Sequence, residues 1–433
     1  MKLPLLSLLV TALIPAWGLG ADESDAPPSA DVSQAEAAFN NQSLTLADCY
    51  GLALKQSELL AVDSERIKEA EAHFLQALGT ILPQVSFSRE ETRQNSSDSP
   101  SSNNFYEQKF VFQQALFTGF KEFAAISASK LEKKQRENER SRAEQLLFTD
   151  VSDAFYLLLE ERDDLKTLET IKSAFLGRLD ELQAREKLGK SRTSEVVSTQ
   201  TQLYSLEDQI ELVRSQEQVA RQLLEFLVGR PVEEITDTDF RYSLKPEPDY
   251  LARAALRPDV QAAQFAWKAD EKGVTIARSG WLPSISLEGD YYTHRSSQPT
   301  DSDWEALLTI NVPIFLGTTV FGQVNEAVAI AKESELLFQR AGRLALREIH
   351  DSYVIAQASF SRVKILETAL KSAELNYELQ TKDYQLNVVN NLDVLTAIQE
   401  LEDIRRNFTH VSYESKRFFW RLQAAAGEID LGR

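Results

Sequence analysis

Hydrophobic residues fall on every second position from Trp304 onward. Trp304, Ala306, Leu308, Ile310, Val312 and Ile314 share one face and Glu305, Thr309 and Asn311 the other, the period of a strand. A second alternating segment precedes it across the polar stretch His294–Asp303, predicting a β-hairpin over about 283–315. The same pattern stands earlier in the chain, split by Gln94–Asn104, and predicts a hairpin over about 83–116. Each hairpin is entered through a Leu-Pro step, "ILPQVS" at Ile81–Ser86 and "WLPSIS" at Trp281–Ser286. Proline disfavours the helical region just before it, so each step ends a predicted helix, about Leu46–Leu82 and about Tyr250–Leu282.

The phrases recur in register. Leu82-Pro83 and Leu282-Pro283 lie 200 positions apart. "LFTGF" (Leu116–Phe120) and "IFLGT" (Ile314–Thr318) lie 198 apart, as do Ser194–Leu203 and Leu392–Leu401. The chain is therefore two copies of one unit, 44–229 and 250–427, joined by the Pro- and Asp-bearing stretch 230–249 and followed by a tail, 428–433. After Gly119 and Gly317 no proline interrupts Lys121–Leu188 or Thr319–Leu386, and roughly 70 helical residues make a rod of ~100 Å. Short breaks at 189–193 and 387–391 turn the chain into returning helices. Their apolar seams alternate steps of 3 and 4: Val196, Thr199, Leu203, Leu206, Ile210, Val213, Ala220, Leu224 and Leu227, interrupted at Glu217. The second runs Val394, Ala397, Leu401, Ile404, Phe408, Val411, Phe418, Leu422 and Ala425, interrupted at Ser415.

The ends predict export. Residues 1–21 read as a signal peptide, with Lys2, an apolar stretch Leu3–Ala16 and small residues before Asp22. Residues 22–43 read as a flexible leader, rich in Asp, Glu, Ala, Ser and Pro. The 433-residue chain has 66 acidic and 47 basic residues, a balance that argues against nucleic acid as a partner. The single cysteine, Cys49, has no intrachain partner and reads as a buried small residue. The four histidines lie on separate elements without metal-ligand or catalytic spacing, and no phosphate-loop, dinucleotide or nucleophile motif occurs. No cofactor or catalytic activity is expected. The charges of "KLEKKQRENER" (Lys130–Arg140) read as a solvated helix face.

No apolar run after the signal is long enough for a membrane helix, but segments of ~10–12 residues suit a tilted transmembrane strand. Aromatic residues gather on the hairpins: Phe105, Tyr106, Phe110, Phe112, Tyr291, Tyr292 and Trp304. A sheet in lipid must close, and four strands cannot, so copies must combine; three give twelve strands and a lumen.

The doubled unit, its Leu-Pro entries, "VPIFLG" (Val312–Gly317) and "LDVLTAIQEL" (Leu392–Leu401) together resemble the TolC-type outer-membrane efflux protein family over nearly the whole mature chain. Thr318 stands where the family often has a second glycine. The resemblance implies a mainly α fold with a small β part. It also implies a homotrimer whose 12-stranded outer-membrane barrel continues as a periplasmic α-helical barrel. The implied function is a passive exit duct serving a periplasmic adaptor and an inner-membrane pump.

The resemblance further places acids at the periplasmic entrance, where Asp393 keeps the carboxylate and Thr396 does not. Asp393 is either a selectivity residue or a cap of the returning helix. Tyr384 and Glu195 match a network that closes the entrance. Val389 replaces its basic member, leaving Lys190, Arg192, Asn390 or Asn391 as substitutes. The adaptor-facing tips correspond to Leu188, Gly189 and Lys190 and to Asn387, Val388 and Val389, which depart from the family's usual Val-Gly pattern. A periplasmic coiled-coil adaptor is the alternative. It would explain the rods and not the hairpins, while a secreted enzyme would lack a site.

Overall fold

The computed structural model describes residues 43–94, 103–238, 242–296, 302–386 and 388–429, all but Ser43 within the unit Leu44–Arg433. Apart from Ser43, the signal expected at 1–21 and the leader expected at 22–43 lie outside them, as do most of the loops between paired strands, the side chain of Phe105, Asn387 and the last four residues.

The first expected helix is two, α1 (Leu46–Gln56) and α2 (Glu58–Gly79). Thr45 and Asp48 form a capping box at the start of α1. Ser57 is extended (φ −64°, ψ 111°) and its hydroxyl accepts from the Leu60 amide, so this one residue ends α1 and caps α2. Strands β1 (Gln84–Gln94) and β2 (Asn103–Thr118) follow, then α3 (Lys121–Lys187) and α4 (Thr193–Val228). The second expected long helix is also divided, into the short α5 (Glu247–Leu251), a single turn Ala254–Leu256 and α6 (Pro258–Arg278). Pro258 opens α6 and forces Arg257 before it into an extended conformation (φ −58°, ψ 138°). Strands β3 (Ser284–Arg295) and β4 (Trp304–Asn311), then α7 (Thr319–Gln385) and α8 (Asn391–Ala425), complete the chain. β4 stops before the expected Val312 and Ile314, because Pro313 has no N–H to give a ladder.

The four strands form one antiparallel sheet in the order β1-β2-β3-β4, leaving one edge each of β1 and β4 unpaired among the described residues. Register gives the sheet two unlike faces. Val85, Phe87, Phe110, Phe112, Tyr291, Leu287, Trp304, Leu308 and Ile310 share one. Glu107, Lys109, Asp290, Tyr292 and Glu305 share the other, joined by Lys109–Asp290 (2.6 Å) and Tyr292–Glu305 (3.0 Å). Apolar outside and polar inside is the pattern of a lipid-facing barrel wall.

Strand returns to helix at Gly119, where φ is +67° and an added Cβ would lie 2.8 Å from Leu282 Cβ. Phe120 next to it also takes a positive φ (66°), the sole described non-glycine residue that does, and rests edge-on against Phe117 at 5.1 Å. The second unit avoids this strain, since Thr318 follows Gly317 with φ −95°.

The long helices change partners halfway along. Near the strands α3 lies between α2 and α6, with Lys133–Glu71 (2.7 Å) on one side, and α6 packs on α7 through stacked Trp267 and Phe338. In their distal halves the order is α4-α3-α8-α7, joined by Lys172–Glu207 (2.9 Å), Arg406–Asp164 (2.8 Å) and Arg405–Glu374 (2.6 Å). The core is correspondingly divided. One cluster around Phe148, Phe155, Leu224 and Trp420 also covers Val232 and Ile235 of the connecting stretch. A second around Tyr250, Ile349 and Leu422 holds α5 against α7 and α8. A third, from Leu168 to Leu182 with Ile210, Tyr384 and Ile398, fills the distal end.

The seams are broader than the 3-4 pattern. Glu217 does not interrupt the first: it is buried and takes Arg162 (3.1 Å) and Arg221 (2.6 Å). On α8 the buried set adds Leu395, Ile398, Phe419, Trp420 and Ala424, while Ile404, Phe408 and Phe418 are only half-buried. α8 lies between α3 and α7 and must bury two sides; α4 has one neighbour in that row.

Candidate functional site

The distal turns are where the two helical hairpins of the chain meet. At the second turn Asn390 caps α8, its side chain accepting from the Leu392 (2.7 Å) and Asp393 (3.2 Å) amides. Asp393 returns the contact by accepting from the Asn390 amide at 2.9 Å, completing a capping box. The cap reading of Asp393 is thus present in its hydrogen bonds, and its side chain remains half-exposed. Thr396 is exposed and its hydroxyl donates to the Leu392 carbonyl (2.9 Å).

At the first turn Leu188, Gly189 and Lys190 are exposed, with Gly189 at φ +68° to reverse the chain. Arg192 precedes α4 without a side-chain cap bond, and Glu195 accepts from the Ser191 hydroxyl at 2.5 Å. Val388 is exposed and Val389 packs on the distal core. Among the described residues, no hydrogen bond joins Glu195, Lys190 or Arg192 to Tyr384, and neither Lys190 nor Arg192 lies over its ring.

Tyr384 instead faces two arginines absent from the expected network. The Arg178 guanidinium carbon lies 3.5 Å from the centre of its ring and that of Arg185 4.5 Å. Arg178 is 6% exposed; its Nε donates to Asn391 Oδ1 at 2.8 Å and its Nη1 to Glu181 at 2.9 Å. Asn391, also buried, reaches Thr199 Oγ1 through Nδ2 at 3.4 Å. One side chain from each of α3, α4, α7 and α8 therefore meets at one buried point. Of the expected residues only Tyr384 and Asn391 belong to it. A sequence signal for Arg178 existed: Leu168, Ile171, Phe175, Arg178 and Leu182 are spaced 3 and 4 apart, placing a charge inside an apolar seam.

Halfway up the helices a polar cavity of about 320 Å³ lies between α3, α4 and α8. Glu160 there accepts from Arg417 (2.8 Å) and faces His410 Nδ1 (2.5 Å), while Arg406 holds Asp164. Glu161 beside them is pushed up to about 7, by burial first and then by the charges of Glu160 and Asp164. Cys49 is buried and its thiol is pushed up to about 12, mainly by burial, which keeps it an unreactive apolar filler. No group of three or more His, Cys, Asp or Glu residues is arranged to hold a metal, and no helix is long and apolar enough to cross a membrane, among the described residues.

These features agree with what the chain is similar to. Outer membrane protein TolC of Vibrio cholerae is 21% identical over 402 residues, covering 89% of this chain and 91% of that protein. A crystal structure of CusC superposes with a TM-score of 0.82 at 17% identity, over 89% of this chain and 92% of that one. The outer membrane protein VceC of Vibrio cholerae superposes at 0.78 with 22% identity, over 88% and 96%. The profile of the outer membrane efflux protein family matches residues 49–230 and 252–428, once for each half, and the chain belongs to that family.

Proposed function

We propose that three copies of this chain close into one tube, with twelve strands in the outer membrane and the helices extending it into the periplasm. The chain is an outer-membrane channel, the passive exit duct of an efflux or secretion system. The observation that carries the trimer is the two-faced sheet with both edges unpaired, since lipid leaves an open edge unsatisfied. A soluble coiled-coil adaptor would have no use for such a sheet. Energy comes from an inner-membrane pump, coupled through a periplasmic adaptor that meets the tips. Exposed Leu188, Leu386 and Val388 offer it apolar contacts there. Purified protein is expected to be a detergent-requiring trimer by mass photometry; a monodisperse monomer without detergent would refute this reading.

Asp393 supplies the entrance with one carboxylate per copy. Three carboxylates around a constriction act on a passing cation by roughly 1–4 kcal/mol each. Asp393→Asn is expected to weaken cation selectivity in planar bilayers at low salt. Asn at this position keeps a side-chain oxygen that can accept from the Asn390 amide, so the substitution removes the charge while leaving the capping-box bond an acceptor. A reversal potential equal to the parent's would assign Asp393 to capping alone.

A further inference from the structure

We infer that Arg89, Gln108 and His294, on the apolar face of the sheet, bind a phosphate of the outer-leaflet glycolipid in each copy. The inference rests on the reading of the chain as an outer-membrane barrel and adds a lipid site to its wall. The three residues lie directly opposite one another, Arg89 with Gln108 and Gln108 with His294, so they share one face. That face is the apolar one, because Phe110 follows Gln108 by two residues on β2.

Register sets the depth of this rung. One rung nearer the rods, the same face is aromatic across all four strands: Phe87, Phe110, Tyr291 and Trp304. The Phe87 and Phe110 ring centres are 5.2 Å apart. An inner apolar rung, Phe117, Ile285 and Ile310, lies six residues lower on β3. At ~3.4 Å per residue and a tilt of ~40°, the two rungs stand ~16 Å apart along the membrane normal. Their side chains extend that span toward the ~25 Å apolar band of such barrels. Between the rungs this face carries no charge, and its Gln114 amide donates to the Ile81 carbonyl at 2.7 Å. Aromatic residues gather where a membrane meets water, so the next rung outward, Arg89–Gln108–His294, stands at the headgroups.

Two details single this rung out. Tyr292 pairs with Lys109 and His294 with Gln108, adjacent residues on β2, so Thr293 is an extra residue forming a bulge. Strict alternation from Tyr291 would turn Thr293 to the apolar face; the bulge turns His294 there instead, level with Arg89. The second detail is that Arg89 is exposed and has no ion pair among the described residues. Arg93, farther out on the same strand, is instead held by Glu91 at 3.0 Å. An unpaired guanidinium on a lipid-facing wall is costly at the bilayer midplane and nearly free at its edge. There its planar fork matches two phosphate oxygens, and Gln108 and His294 add N–H donors. A phosphorylated glycolipid complements both rungs, giving a phosphate to the basic one and acyl chains to the aromatic one.

The test uses the delipidated full-length trimer in neutral detergent, titrated with bisphosphorylated lipid A and read by native mass spectrometry. The parent should hold one lipid A per copy. Arg89→Gln should raise the dissociation constant about 5-fold, the effect of one basic residue at an anionic headgroup. Arg89→Lys should lose less, and Arg93→Gln, whose charge Glu91 already engages, should change it by less than about 2-fold. His294→Glu, on another strand, puts an anion into the same rung and should weaken binding at least as much as Arg89→Gln, so the outcome does not depend on one variant. Lipid A stripped of its phosphates should bind parent and Arg89→Gln alike. Equal affinity of parent, Arg89→Gln and His294→Glu for the bisphosphorylated form overturns the site, as does equal affinity of the parent for the stripped form. Displacement by equimolar inorganic phosphate, or equally tight binding of phosphatidylglycerol, overturns the glycolipid as occupant. A detergent-free monomer overturns the barrel reading and this site with it, whereas a trimer without phosphate preference overturns the site alone.

Discussion

Arg257→Ala is expected to destabilise the protein by on the order of 3 kcal/mol, read as a fall in thermal midpoint in detergent. Arg257 is 2% exposed at the extended step before α6. Its guanidinium takes Asp259 at 2.5 and 2.9 Å, Glu348 of α7 at 2.8 Å and the Ala425 carbonyl at the end of α8 at 3.2 Å. It therefore ties three helices and caps one of them. Alanine would leave a carbonyl and two carboxylates facing the space it vacated. Both carboxylates are partly exposed and can recover some hydration, which keeps the loss at the lower end for a broken buried pair. Arg142 reaches the neighbouring Ala424 carbonyl (2.9 Å) and limits unravelling of α8 without replacing the ion pairs. Burial alone would raise the Asp259 carboxyl, but the bonds and charge of Arg257 outweigh it and hold the group below its ordinary range. The pair's contribution is therefore present at neutral pH and lost as pH falls through that depressed value, so parent and variant should converge in acid. An Arg257→Ala trimer with the parental midpoint at pH 7 would refute the assignment.

Glu161 should impose the opposite pH dependence. Burial and the neighbouring Glu160 and Asp164 raise its carboxyl from 4.5 to about 7, against the opposing charges of Arg406 and His410. A carboxyl raised on folding stabilises the fold fully below its unfolded value. That contribution is lost as pH rises through about 7 and is constant above. Glu161→Gln imitates the protonated form. It should match the parent below about pH 4 and exceed its thermal midpoint by a few degrees at pH 8. His350, raised by its bond to Glu247, contributes a change of the same sign, so the comparison of the two proteins isolates Glu161. Parallel pH curves for parent and variant would refute the assignment.

Much of the architecture was legible because its causes are local. Strand faces follow from alternation, and the starts of α3 and α7 lie 198 positions apart, as the repeated phrases do. The Asn390-to-Asp393 cap could likewise be read from its spacing. The division of the first long helix at Ser57 was less visible, because a serine followed by helix-forming residues interrupts no hydrophobic period. The site was legible in part. Tyr384 and Asn391 were expected at the entrance, but the arginine that both meet, Arg178, lies more than 200 positions from either along the chain.

By itself the sequence determined the doubled unit, the lengths of its rods, the alternation of its strands and the turns that divide them. Each depends on residues close together along the chain. Tertiary structure alone decided which helices lie side by side, the two-sided burial of α8 and the meeting of Arg178, Tyr384, Asn391 and Thr199. The physical reason is that a helix period specifies which face is apolar but not its neighbour. A charge within that face is tolerated only where distant segments arrive to satisfy it.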